Sequence, residues 1–163
     1  MHKDIEEIIL DEAQLEKTVD EIAERINFDY KDKPLTVIGI LRGSIMFLAD
    51  LFRRITVEDC TLDFMAASSY GSSAVSSGNV NITKDLSDDV SGRDLLIVED
   101  ILDTGNTLSC IKDYLLSKGA SSVKICTLFD KPSRRKKPII YNYTSEIYNN
   151  STYKFLERKG EIT

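Results

Sequence analysis

The 163-residue sequence predicts one α/β domain, a parallel sheet flanked by helices, on three observations. Short continuous apolar runs, Leu35 to Leu41, Leu95 to Val98 and Ser121 to Phe129, read as strands buried on both faces. Segments with apolar residues three and four apart follow the first two. A glycine turn joins strand to helix each time, once at Gly43 and once at Gly105. That order is the signature of crossover units in a parallel sheet.

Residues 11 to 27 place Leu15, Val19, Ile22, Ala23 and Ile26 on one face among Glu, Lys and Asp, which predicts an amphipathic packing helix. Lys33-Pro34 ends the connection, and the strand Leu35 to Leu41 runs through Arg42-Gly43-Ser44 into a helix bearing Ile45, Leu48, Ala49 and Phe52. Thr61 to Ala67 alternates as a further strand. The stretch from Ser68 to Gly78 is small, polar and glycine-bounded, the composition of a surface linker. After the strand Leu95 to Val98, Leu108, Ile111 and Leu115 predict a helix from about Thr104 to a C′ glycine at Gly119. Ser121 to Phe129 is then a core strand that ends in Asp130-Lys131-Pro132.

Composition narrows the function classes. With 42% apolar and 29% charged residues the chain is globular, and its length suits one core. No apolar run approaches a membrane span and the N-terminus lacks a signal peptide's apolar stretch, so a cytoplasmic protein is expected. A net charge of −6 argues against nucleic-acid partners. Cys60, Cys110 and Cys126 are odd in number and widely spaced, as reduced core thiols are. His2, the only histidine, sits at the terminus. Acid–base work at neutral pH therefore falls to a carboxylate or a lysine.

The chemistry gathers in Val98 to Leu108, VEDILDTGNTL. Glu99 and Asp100 stand at a strand's carboxyl end, the edge of an α/β sheet where ligands bind. Both offer hard anionic oxygens to vicinal hydroxyls or to a hydrated Mg²⁺. Thr104, Gly105, Asn106 and Thr107 open a helix whose free N–H groups suit a phosphate, with the threonine hydroxyls as further donors or a cap. Asp103 is left to move a proton near a sugar's anomeric carbon. No G-x-x-x-x-G-K-[ST] loop is present.

VEDILDTGNTL resembles the phosphoribosyl pyrophosphate (PRPP) signature of type I phosphoribosyltransferases, and Asp103 at its sixth position resembles the 6-oxopurine branch. Leu41-Arg42-Gly43 resembles the family's pyrophosphate loop, usually L-K-G, with a cis non-proline peptide between its first two residues. Ser69 and Tyr70 resemble the family's active-site flap, and a lid suits chemistry that competes with hydrolysis. The resemblance implies a type I phosphoribosyltransferase fold, with a small hood from the terminal segments. It further implies transfer of 5-phosphoribosyl from PRPP to hypoxanthine or guanine, giving IMP or GMP and pyrophosphate, with Mg²⁺ on Glu99 and Asp100. Lys131 would read the purine's 6-oxo group, and Asp103 would handle the N7 proton. A homo-oligomer is expected.

The resemblance runs to about Arg135, so residues 1–135 are read as the phosphoribosyltransferase domain. In Lys136 to Phe155, Lys, Ile, Tyr and Asn supply thirteen of twenty residues. Residues 136–163 are accordingly expected to be a divergent tail, frameshifted or disordered, without the family's last core strand. Tyr141, Tyr143 and Tyr148 are the candidates there for an aromatic that stacks on the purine. The alternatives that stay open are a PRPP-binding regulator of the same fold and an inactive enzyme altered at its C-terminus.

Overall fold

In the computed structural model, residues 11–69 and 80–145 are described. His2, Tyr70, most of the Ser68 to Gly78 stretch and everything after Ser145, Tyr148 included, lie outside them. The elements are α1 (Glu12–Asp29), β1 (Leu35–Ile40), α2 (Ile45–Phe52), β2 (Cys60–Ser69), β3 (Val80–Lys84), β4 (Asp94–Leu102), α3 (Asn106–Ser117), β5 (Ser122–Asp130) and β6 (Tyr143–Thr144). Pro132–Arg134 form a single 3₁₀ turn after β5.

The strands make one sheet in the order β3-β2-β1-β4-β5-β6. All neighbours are parallel except β3, which returns antiparallel along β2. Each face is closed by helices. One core joins Val19, Ile22 and Ile26 of α1 and Phe47, Leu48 and Leu51 of α2 to Val37, Leu96, Val98 and Leu128 of the sheet. The other joins Leu108, Ile111 and Leu115 of α3 to Ile38, Ile97 and Ile125. All six positions of β1 are buried, as a central strand covered on both faces requires. Among the described residues no helix is long and apolar enough to cross a membrane.

Local rules account for the helix ends. Asp11 caps α1 in a reciprocal capping box, its carboxylate accepting from Gln14 N while the Gln14 side chain accepts from Asp11 N. Gly105 (φ +82°) opens α3 and Gly119 (φ +89°) lies just beyond its end. Both are left-handed, a conformation glycine adopts without a Cβ penalty.

Several expectations are corrected. The strand through Leu95 to Val98 continues to Leu102, so Glu99 and Asp100 lie inside its second half, in register with β5 through the pairs Glu99 to Thr127 and Ile101 to Phe129. On α2 the buried face is Phe47, Leu48 and Leu51. Ile45 and Ala49 are exposed, because the helix is apolar nearly all round and periodicity cannot choose its inner side. Only Cys126 is a core thiol, pushed well up by complete burial; Cys60 and Cys110 are half-buried.

The chain also continues into the sheet after Arg135. Asn142 N donates to Ile125 O, and Ile125 N donates to the Asn142 side chain. Tyr143 is buried against α1, its hydroxyl donating to Asp29 at 2.6 Å and its ring facing the Arg25 guanidinium 5.3 Å away. A further core strand therefore exists where none was expected, and Tyr143 is a packing residue of that strand.

Candidate active site

Strand order decides where the site lies. From β1 the chain crosses through α2 to β2 on one side, and from β4 it crosses through α3 to β5 on the other, so the two crossovers diverge between neighbours. The crevice at the carboxyl ends of such a pair is where open α/β sheets take ligands. Here it is flanked by Leu41-Arg42-Gly43 after β1 and by Glu99 to Thr107 at the end of β4.

These two segments touch. A Cβ on Gly43 would stand 3.2 Å from both carboxylate oxygens of Asp100, so this close approach uses the absence of a side chain. The Leu41–Arg42 peptide is cis, as the resemblance implies. Arg42 and Gly43 are exposed at the rim, whereas Ser44 is buried, its hydroxyl donating to Ile40 O at 2.6 Å.

Glu99 and Asp100 form a coupled pair. Asp100 N donates to Glu99 Oε1 at 3.0 Å, and Ile101 N donates to Asp100 Oδ1 at 2.8 Å. Burial pushes the Glu99 carboxyl up to about 9, and its hydrogen bond to the Asp100 carboxylate and that group's charge add to the rise. Among the described residues no lysine or arginine makes an ion pair with either acid.

This carboxyl makes stability depend on pH. With its affinity for the proton raised from an ordinary 4.5 to about 9 by folding, Glu99 keeps a proton that the unfolded chain releases in between. The stabilisation is complete below about 4.5 and is lost as pH rises towards 9. In metal-free buffer, thermal melts across this window should show the wild type losing stability relative to Glu99→Gln. Parallel curves would refute the coupling.

The turn after β4 is bound to the segment after β5. Lys131 N donates to Leu102 O at 2.9 Å, which brings Lys131 to the end of the acidic strand. Lys136 N and Lys137 N both donate to Thr104 O, at 2.9 and 3.1 Å. Arg135 Nε donates to Asp103 O at 3.0 Å, and its terminal nitrogen pairs with the buried Asp130 carboxylate. Arg134 Nε lies 2.7 Å from Asp103 Oδ1, but that buried oxygen accepts no aligned hydrogen bond. Thr104 Oγ1 accepts a long 3.4 Å bond from Asn106 N, and no side chain caps α3. Gly105 itself is the N-cap, so capping does not occupy the Thr107 hydroxyl.

The structure thus brings together Leu41, Arg42, Gly43, Glu99, Asp100, Asp103, Thr104, Gly105, Asn106, Thr107 and Lys131. Ser69 ends β2, opposite Val80 of β3, and Tyr70 lies outside the described residues. Sequence reasoning missed Arg134 and Arg135, which follow Pro132 where the resemblance stops. It also missed a cleft of about 230 Å³ beside Gly43 and Asp100, walled by Phe47, Ile101, Leu128 and Phe129. The apolar positions alone gave no signal of it.

Residues 6–158 of the chain match the phosphoribosyl transferase domain family. The chain is 44% identical over 146 residues to a hypoxanthine-guanine phosphoribosyltransferase of Staphylococcus epidermidis, covering 90% of this chain and 81% of that protein. Its counterpart in Staphylococcus aureus is 42% identical over the same shares. The fold superposes on a crystal structure of a hypoxanthine phosphoribosyltransferase from S. aureus with a TM-score of 0.84, at 43% identity over 89% of this chain and 78% of that one. A hypoxanthine-guanine phosphoribosyltransferase from Bacillus anthracis superposes with a TM-score of 0.81, at 39% identity over 87% and 83%. The family match continues beyond Arg135, as the packed fold does.

Proposed function

Because the chain belongs to the phosphoribosyl transferase domain family, we infer that it is a purine-salvage transferase moving 5-phosphoribosyl from PRPP to hypoxanthine or guanine. The products are IMP or GMP and pyrophosphate. The observation that carries this reading is the meeting of an acidic pair, a glycine-opened helix and an arginine–glycine loop at one crevice, in a chain 42–44% identical to enzymes of that name.

In this reading the N–H groups and hydroxyls from Thr104 to Thr107 bind the 5′-phosphate at the start of α3. Arg42 and the backbone at Gly43 hold pyrophosphate. Glu99 and Asp100 accept from the ribose hydroxyls. The donor set also fits Mg²⁺: two adjacent hard carboxylates at a strand end suit an ion that keeps most of its waters. Bound there, Mg²⁺ supplies charge neutralisation for the departing pyrophosphate. As the C–N bond forms, the attacking purine sheds a proton. Asp103, a carboxylate whose side chain is 43% exposed at this turn, suits a proton at N7. Ser69 and Tyr70 are assigned to the lid by the same resemblance.

Lys131, set at the end of the acidic strand by its bond to Leu102, is assigned to the 6-oxo group of the base. Lys131→Ala should weaken hypoxanthine or guanine capture by ~1–3 kcal/mol, the scale for leaving a polar group unmatched. PRPP binding should hardly change. An equal loss of PRPP affinity would mark Lys131 as structural.

A homo-oligomer is part of the same reading. Exposed Ile45, Met46 and Leu62 offer it an apolar face on α2 and β2. The decisive experiment is turnover of PRPP with hypoxanthine, guanine and adenine in separate arms, alongside calorimetric titration with PRPP alone. Formation of IMP and GMP but not AMP is expected. PRPP binding without turnover would favour a regulator of the same fold.

A further inference from the structure

The turn that opens α3 is held from behind. A trans peptide directs its C=O and its N–H to opposite sides, so fixing the carbonyl also fixes the amide. In the Asp103–Thr104 peptide the carbonyl is gripped by Arg135 Nε at 3.0 Å. In the Thr104–Gly105 peptide the carbonyl accepts from both Lys136 N and Lys137 N. The two N–H groups that follow, on Thr104 and Gly105, therefore point away from the 131–137 segment. Among the described residues neither of them has a hydrogen-bond partner.

The grip is a built arrangement. The Arg135 side chain is 18% exposed and its far end is paired with Asp130, whose side chain is 6% exposed, so the guanidinium cannot swing without stranding a buried charge. The fit is close at Gly105, where a Cβ would stand 2.6 Å from Lys137 O and 3.1 Å from Arg135 Cδ. The two peptides lie next to a left-handed glycine, a setting in which successive N–H groups form an anion-binding nest. Without the grip, rotation of the Asp103–Thr104 peptide would turn a carbonyl oxygen towards the anion.

We propose that Arg135 is a positioning residue for the sugar phosphate: by holding the Asp103 carbonyl, it aims the Thr104 amide at the phosphate without touching the ligand. The proposal rests on the assignment of the 5′-phosphate to this turn. It also ties the loop carrying Lys131 to the phosphate loop as one unit.

The test is calorimetric titration of wild type, Arg135→Lys and Arg135→Gln with ribose 5-phosphate and, separately, with inorganic pyrophosphate in Mg²⁺. Arg135→Lys keeps a cation beside Asp130, which protects the fold, but a single ammonium cannot also reproduce the fork's bond to the Asp103 carbonyl. Both variants should bind ribose 5-phosphate about tenfold more weakly, the scale of one well-placed hydrogen bond. Pyrophosphate affinity should stay within about twofold, because Arg42 and Gly43 are not gripped by this segment. In turnover, the KM for PRPP should rise with the KM for purine unchanged. Unchanged ribose 5-phosphate affinity in a folded Arg135→Lys overturns the proposal, as does an equal loss for pyrophosphate. If the wild type itself fails to bind ribose 5-phosphate, the phosphate assignment falls and takes the proposal with it.

Discussion

Replacing the acidic pair, Glu99→Gln with Asp100→Asn, should abolish PRPP binding in calorimetry while leaving the protein folded. Two charge-assisted hydrogen bonds at ~1.5–3 kcal/mol each amount to a loss of ~10²–10⁴-fold, beyond the detection range for a weak metabolite complex. The loss should be specific to the ligand. Glu99 is pushed up to about 9 by burial and by its acidic neighbour, so at pH 8 folding must return to it a proton that the unfolded chain has released, a cost the neutral amide avoids. At pH 8 the double variant should therefore melt no lower than the wild type. Retained PRPP affinity would remove the pair from the site, and a lower melting temperature would show that the acids serve the fold.

Asp103→Asn should lower kcat by ~100- to 10,000-fold with PRPP affinity little changed, the range for a general acid–base group. The asparagine keeps the size of the side chain and cannot accept a proton. Folding should tolerate the change. The only ionic partner found for Asp103 among the described residues is Arg134, at 2.7 Å between groups 56% and 43% exposed, and such surface pairs contribute ~0–1 kcal/mol. Single-turnover measurement with saturating PRPP and hypoxanthine separates chemistry from product release. Full activity would assign Asp103 to holding the loop against Arg134.

Sequence legibility followed the range of the interaction that fixes each feature. Leu35 to Ile40 could be read because a strand covered on both faces must be apolar throughout, and α1 because its stripe recurs at helical spacing. The inner side of α2 could not be read. Its apolar residues surround it, and only packing against α1 and β1 selects Phe47, Leu48 and Leu51. β6 escaped for a different reason: two residues in an Ile-, Tyr- and Asn-rich stretch carry no periodicity, and the strand exists through its bonds to β5. β3 likewise depends on the edge that β2 offers.

The sequence by itself determined the chemistry available: three carboxylates, a glycine turn opening a helix, and an arginine–glycine loop after a strand. Those are local facts, set by residue types a few positions apart in a conformation the nearby chain imposes. Tertiary structure alone decided which of them meet and in what state. Gly43 and Asp100 are far apart in the chain, and the divergence of crossovers between β1 and β4 brings them so close that a Cβ on Gly43 would stand 3.2 Å from the Asp100 carboxylate oxygens. The raised proton affinity of Glu99 arises from burial, which no run of letters specifies. The grip of Arg135 on Asp103 depends on β5 lying beside β4, so that the two strand ends open onto the same crevice.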